Sequence, residues 1–472
     1  MKSAWVRAVA ILLVAMLVLT GLGAVLSSAM AADWKLPSHA LAKVGQQAEY
    51  RAGGYYEGCY DCRGFSARVY SSGDGYASGL DSRGRLVTVA RGSDRVTVRR
   101  HASPTAKATG ARTIKAPKGW TVGGFHLGSD GYWYLALGRE NPKEKKNRAV
   151  VQVRRYDQSL RLRGTVEVKG GVAAAPGGLG GISVPFRSGT VAMVVHQGRL
   201  WLHLARQEFK HTDGLNHQSA MVMRLDFSTG KAEYVMRNAS HSFNQFIVSD
   251  GQRLVTVDHG DAYPRGLEVQ ELHWNDEDPD HSYWDSRSMV PFKFRGKVGA
   301  NYTGATLNAV TLGSSRVLTA GIAVPHSKAV KGVTGSSRKL WPNVHLTSSD
   351  PRTGRSTFRW ITTYHPKKTT ARVGHLRLTA LGKDRFALLY DVTKRGSTKG
   401  TTHYLLIDEQ GRTLAHRTFS GAFRALSAPV LQGKRLVWVN EFSKDRHGFD
   451  RVTHLSALDV SNPQKPVLLK RG

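Results

Sequence analysis

The chain has 472 residues, of which 50 are glycine, 40% are hydrophobic and two are cysteine, and its formal net charge is +33. The apolar content suffices for a core, the glycines favour many turns over long helices, and two thiols exclude a four-cysteine zinc site. The charge favours acidic partners (anionic glycans, wall polymers, lipid heads, nucleic acid) or else a solvated basic surface without one, and it is silent on fold.

In chain order, Lys2 and Arg7 precede an apolar run from Ala8 to Leu26, and Ser27-Ser28-Ala29-Met30-Ala31 follows. This is the pattern of an export signal cleaved after Ala31, with an uncleaved N-terminal membrane anchor as the alternative. No later segment is apolar for long enough to span a bilayer, so a secreted or cell-surface protein is expected, touching membrane only if residues 1–31 are retained. Residues 32–64 read as a short N-terminal segment, either a strap against the domain that follows or a strand completing its last repeat. They hold Cys59 and Cys62 in Gly-Cys-Tyr-Asp-Cys-Arg. A short-range disulfide fits an exported chain. Haem attachment would need histidine where Arg63 stands, whereas a site of two cysteines and two histidines stays formally open.

From about residue 65 to the end one unit recurs. Its first half is an apolar strand, a tight polar turn and a second apolar strand. The turns are Ser82-Arg-Gly-Arg85, Ser129-Asp-Gly131, Gln197-Gly-Arg199, Ser249-Asp-Gly251, Gly313-Ser-Ser-Arg316, Gly382-Lys-Asp-Arg385 and Gln432-Gly-Lys-Arg435, spaced roughly 47 to 69 residues apart. The second half is another hairpin, as in Val96-Thr-Val-Arg-Arg-His101, Val151-Gln-Val-Arg-Arg-Tyr156 and Met221-Val-Met-Arg-Leu-Asp226, closed by Asp or Asn turns. Four strands per unit, seven units and no convincing helix predict an all-β fold, a seven-bladed β-propeller of four-stranded antiparallel blades; six or eight blades follow if the N-terminal segment or the fourth unit is misread.

In such a blade the first and third turns share one face, and the loops between second and third strands share the other. The latter are the long ones: 138–148, 206–217, 259–266, 325–340, 393–402 and 442–452. Variable loops on a rigid scaffold are where function resides. They also carry Lys143, Lys145, Lys146, Arg148, Lys328, Lys331, Arg338, Lys339, Lys394, Arg395, Lys399, Lys444 and Arg446. Arg83, Arg199 and Arg316 on the other face keep the alternative of a uniformly basic surface open.

At the junction of units three and four, His211, Asp213, Asn216, His217 and Gln218 are expected to face His241, Asn244, Gln245, Asp258, His259, Asp261, Tyr263 and Arg265. Three readings fit this cluster. In a polysaccharide lyase, His217 or His259 would be the base, Tyr263 the acid and Arg265 the carboxylate clamp. In a metal site, Asp258, His259, Asp261, His211 and His217 would ligate a divalent ion such as zinc, calcium or manganese, although no spacing matches a dedicated motif. In a structural reading the groups satisfy buried backbone.

The strings Asp213-Gly-Leu-Asn-His-Gln218, Ser240-His-Ser-Phe-Asn-Gln-Phe246, Asp258-His-Gly-Asp-Ala-Tyr-Pro-Arg265 and Gly138-Arg-Glu-Asn-Pro-Lys-Glu144 resemble those of a group of secreted, propeller-like bacterial proteins. The resemblance spans roughly residues 120–270 and implies the fold and the position of a site, but no reaction. The expectation is therefore an exported propeller binding an acidic extracellular polymer, a glycan or wall polymer, on its loop-rich face. A lyase and a purely structural surface protein are the alternatives. Base-stacking aromatics among the basic loops are few, which argues against specific nucleic-acid binding.

Overall fold

The computed structural model describes residues 43–46, 75–102, 108–172, 180–187, 189–275, 283–294, 297–299, 303–323, 343–364, 371–382, 384–394, 400–420, 424–443 and 451–469. The signal segment, Cys59 and Cys62, and most of the 325–340, 393–402 and 442–452 loops, with all their named lysines and arginines except Lys394, lie outside them.

The described residues form strands and turns without a helix. After β1 (Lys43–Gln46), one sheet comprises β2 (Tyr76–Leu80), β3 (Leu86–Arg91), β4 (Arg95–His101) and β5 (Ala108–Lys115). The next comprises β6 (Thr121–Leu127), β7 (Trp133–Gly138), β8 (Ala149–Tyr156) and β9 (Leu162–Lys169). An eight-stranded sheet follows: β10 (Val184–Pro185), β11 (Val191–His196), β12 (Arg199–Lys210), β13 (Asn216–Asp226), β14 (Lys231–Ser249), β15 (Leu254–Ala262), β16 (Arg265–Asn275) and β17 (Tyr283–Lys293). Two more sheets of four hold β18 (Ala309–Leu312), β19 (Val317–Ala323), β20 (Asn343–Asp350) and β21 (Arg355–Trp360), then β22 (Ala371–Gly382), β23 (Arg385–Lys394), β24 (Gly400–Asp408) and β25 (Thr413–Ser420). The last sheet gathers β26 (Arg424–Ala425), β27 (Val430–Gln432), β28 (Arg435–Ser443), β29 (Arg451–Asp459) and β30 (Val467–Leu468).

These small antiparallel sheets take a propeller arrangement. The expected seven blades do not appear as seven separate sheets: four sheets have four strands, one has eight and one has six. The cause of the eight is β14. Its first half pairs with β13 and its second half with β15, and Ser240 is opposite both Ser219 and Ala262. One unbroken strand thus serves the third and fourth repeats. In the last sheet β29 pairs with both β1 and β30, so N-terminal chain supplies an edge strand there, one of the two roles open for residues 32–64.

Each of the seven tight turns separates a pair of hydrogen-bonded strands. At Gln197-Gly198 both residues have positive φ, 48° and 72°, the geometry of the two-residue hairpin whose twist matches its strands. Successive sheets pack face to face through buried aliphatic and aromatic side chains, for example Val89 and Val98 against Trp133 and Leu135, or Val151 and Val153 against Leu202 and Met223. The last sheet meets the first through Ser427 Oγ, 2.8 Å from Ser78 Oγ, and through Gln432 Nε2, which donates to Gly84 O at 2.9 Å.

Candidate functional site

The β12–β13 loop closes tightly, with His211 N donating to Leu215 O at 2.9 Å. On it His211 Nε2 lies 2.6 Å from Glu208 Oε2, and His217 Nε2 lies 2.7 Å from Asp213 Oδ2. The two imidazoles are 4.6 Å apart. Glu208 is buried and also accepts from Arg206 and Ser219. Asn216 Nδ2 donates to Glu144 Oε1 at 2.7 Å, and Lys210 N donates to the same oxygen at 2.8 Å, which stitches this loop to the 138–148 loop. Across the boundary Gln218 Nε2 donates to Ser242 O. Half-buried His241, at φ 50°, has its pKa lowered by burial and then by the charge of His217. The 211–218 residues therefore do face the 241–245 segment.

Strand β15 divides the remaining candidates. Alternate side chains of a strand point to opposite faces. Leu254, Thr256 and Asp258 face the third repeat; Val255, Val257, His259 and Asp261 face the fifth. Asp258 takes His203 Nε2 at 2.9 Å and the Ser242 hydroxyl. His259 is fully buried on the other side, its Nε2 2.7 Å from Thr303 Oγ1 and its ring against Phe243 and Phe294. Burial, then His345 and Arg265, lowers its pKa to about 3. This is a neutral core histidine and is placed badly for a base. Asp261 and Arg265, directly opposite each other on β15 and β16, form a buried ion pair, so the expected carboxylate clamp already holds a carboxylate. Tyr263, at the hairpin tip, is 82% exposed. Gln245 accepts from Thr190 N at 2.6 Å and donates to Ser242 Oγ at 2.6 Å, while Asn244 donates to Leu307 O; both tie strands together.

His203, Glu268, Ser242, Thr190, Arg206 and Glu208 were missed as members of this region. His203 has an acceptor at each ring nitrogen, Asp258 Oδ2 at 2.9 Å from Nε2 and Phe246 O at 2.9 Å from Nδ1, a setting that suits an imidazolium. Burial works against that charge, but the Asp258 carboxylate and the Phe246 carbonyl outweigh it and raise the pKa. Glu268, opposite Asp258 on β16, is pushed up to about 7 by burial and by that neighbouring carboxylate. A signal existed in the sequence: in β12 the stripe Leu200, Leu202, Leu204 continues at the same period into Arg206 and Glu208.

Among the described residues no group of three or more His, Cys, Asp or Glu side chains is arranged to hold a metal ion. The expected set of Asp258, His259, Asp261, His211 and His217 is divided by the two faces of β15.

Charge differs between the two ends of the sheets. At the end of the tight turns, one strand-ending Asp in each repeat from the first to the sixth holds an Arg: Asp81–Arg85 (2.8 Å), Asp157–Arg163 (2.6 Å), Asp226–Arg199 (2.7 Å), Asp250–Arg253 (2.7 Å), Asp350–Arg352 (3.1 Å) and Asp408–Arg412 (2.6 Å). Most of these carboxylates also accept backbone N–H groups of their own turn, as Asp81 does from Arg83 and Arg85. At the loop end Lys143, Lys145, Lys146 and Arg148 are exposed and make no ion pair among the described residues.

No protein-family model matches the chain, and no curated protein matches it. Among solved structures it is similar to prolyl oligopeptidase B from Galerina marginata, at 11% identity and TM-score 0.45, over 86% of this chain and 52% of that one. It thus spans about half the length of that protein. It is also similar to a variant of the Synechocystis apocarotenoid oxygenase, at 11% identity and TM-score 0.38, over 73% of this chain and 74% of the other.

Proposed function

We propose that the chain is an exported ring of seven four-stranded blades that binds an acidic extracellular polymer, a glycan or wall polymer, across its loop end. Supporting the count, dividing the eight-stranded sheet at Ser240 gives the third and fourth blades, and the sheet of β26–β30 with β1 is the seventh, hydrogen-bonded to the first.

One observation carries the binding reading: six arginines of the turn end are paired with aspartates, and its exposed Arg83, Arg161 and Arg385, which make no ion pair among the described residues, are spread over three sheets, whereas Lys143, Lys145, Lys146 and Arg148 stand together, exposed and without an ion pair among the described residues, on one loop. Unpaired exposed cations attract a polyanion by long-range, salt-screened forces, and cations already paired contribute little. The lyase alternative loses support, because Arg265 is bound to Asp261 and His259 lies in the core.

The test is retention on an immobilised polyuronate with elution by salt. Lys143→Glu/Lys145→Glu/Lys146→Glu should remove most of the retention without changing the circular dichroism spectrum. Unchanged elution of this variant would overturn the reading.

A further inference from the structure

We propose that the loop end of the third and fourth repeats docks on an anionic lipid surface, seating Leu215, Tyr263 and Val298 in the interfacial layer. These are three of the large apolar side chains left exposed in the fold, at 60%, 82% and 44%. They come from three separate segments, the β12–β13 loop, the β15–β16 tip and the stretch after β17. Their segments touch one another: Leu215 O accepts from His211 N in the β12–β13 loop; Gln218, at the end of that loop, donates to Ser242 O; His241 lies beside Gly299, next to Val298; and Gly299 N donates to Asp261 O at 3.0 Å, two residues from Tyr263. Among the described residues the other exposed large hydrophobics, Leu80, Leu162, Trp274, Leu414 and Val467, lie toward the opposite end, each in a different sheet. Scattered exposed side chains need no explanation; a set from three touching segments at one end of the sheets does.

The surroundings select the occupant. Arg187, Lys210, Lys293 and Lys297 stand exposed around the three tips and make no ion pair among the described residues. Of the nearby carboxylates, Asp213 is held by His217, and Glu144 accepts from Asn216 and from Lys210 N. A second copy of this chain would bring its own positive charge to the contact. An acidic polymer in water would be served by the cations alone and leave the apolar tips without a use. A surface with negative headgroups over an apolar interior satisfies both sets: short apolar side chains and a tyrosine ring enter the boundary layer while lysine stems lie along it with their ammonium groups at the phosphates.

The inference does not depend on polymer binding, and one design separates the two. The full chain is sedimented with vesicles of phosphatidylcholine containing phosphatidylglycerol, and with phosphatidylcholine alone, beside the polyuronate column. Leu215→Ser/Tyr263→Ser/Val298→Ser is compared with the parent carrying the same N-terminus, so any contribution of residues 1–31 cancels. All three positions are exposed, which keeps the fold intact. The expected result is binding to the anionic vesicles only, lowered about tenfold in the triple variant, with column retention unchanged. Equal vesicle binding by parent and variant would overturn the proposal, since charge alone would then account for it; so would absence of binding by the parent. Vesicle binding that persists without column retention would overturn the polymer reading and leave this one standing.

Discussion

The two ends of this fold handle charge in opposite ways. At the turn end the ion pairs are local: an aspartate that ends a strand accepts N–H groups of its own turn and holds an arginine a few residues away or, for Asp226, at the start of the adjacent strand. Toward the loop end three pairs are buried, His203–Asp258, Arg206–Glu208 and Asp261–Arg265, and Lys143, Lys145 and Lys146 are exposed and make no ion pair among the described residues. A net charge of +33 therefore means different things at the two ends. Near the turns six arginines are answered by aspartates; on the 138–148 loop four cations make no ion pair among the described residues.

The largest effect should come from breaking a buried pair. Asp258→Asn leaves the fully buried His203 imidazole without its counterion, and truncating one partner of such a pair costs about 3–5 kcal/mol. The midpoint of urea denaturation at pH 6 measures it. A loss under about 1 kcal/mol would mean that the junction of the third and fourth repeats is held by its apolar contacts alone.

A smaller, pH-dependent effect is expected at Glu268. Its folded pKa of about 7 stands above the unfolded value, so the folded state holds the proton more tightly. The stability this provides is complete below about pH 4.5 and is lost as the pH rises through 7. Glutamine cannot ionise. Glu268→Gln should therefore gain on the parent between pH 5 and pH 8 by on the order of 1–3 kcal/mol, read from paired denaturation curves. A gap that stays constant across that range would contradict the raised pKa.

Much of the architecture was legible because its signals are local. Each of the seven turns carries glycine or a polar residue that a tight turn requires, and apolar alternation marks the strands on both sides. The continuity of β14 was not legible, because Ser240-His-Ser-Phe-Asn-Gln245 has the polar composition of a loop. Only its pairing with β13 and β15 makes it strand. The candidate site was legible in position more than in organisation. Asp258 and His259 are adjacent in sequence, and grouping them neglected the alternation that sends them to opposite faces of β15. Applied strictly, that alternation would also have placed Asp261 with His259 and aligned Arg265 across the short hairpin from Asp261. His203 was out of reach. A lone histidine between Leu202 and Leu204 acquires meaning only when tertiary packing brings Asp258 beside it.

The smallest expected effect sharpens the contrast between the ends most directly. Arg163→Gln/Arg412→Gln and Lys145→Gln/Lys146→Gln remove the same two formal charges. In the first pair each guanidinium belongs to the turn end, 2.6 Å from the carboxylate of Asp157 or Asp408. Any change arises at the end of the sheets away from the loops, and at physiological ionic strength charges are screened over about 8 Å. Elution from the polyuronate column should then shift to lower salt for the lysine variant and stay unchanged for the arginine variant. Equal shifts would show that retention follows net charge alone, and the loop end would lose its claim to be the binding face.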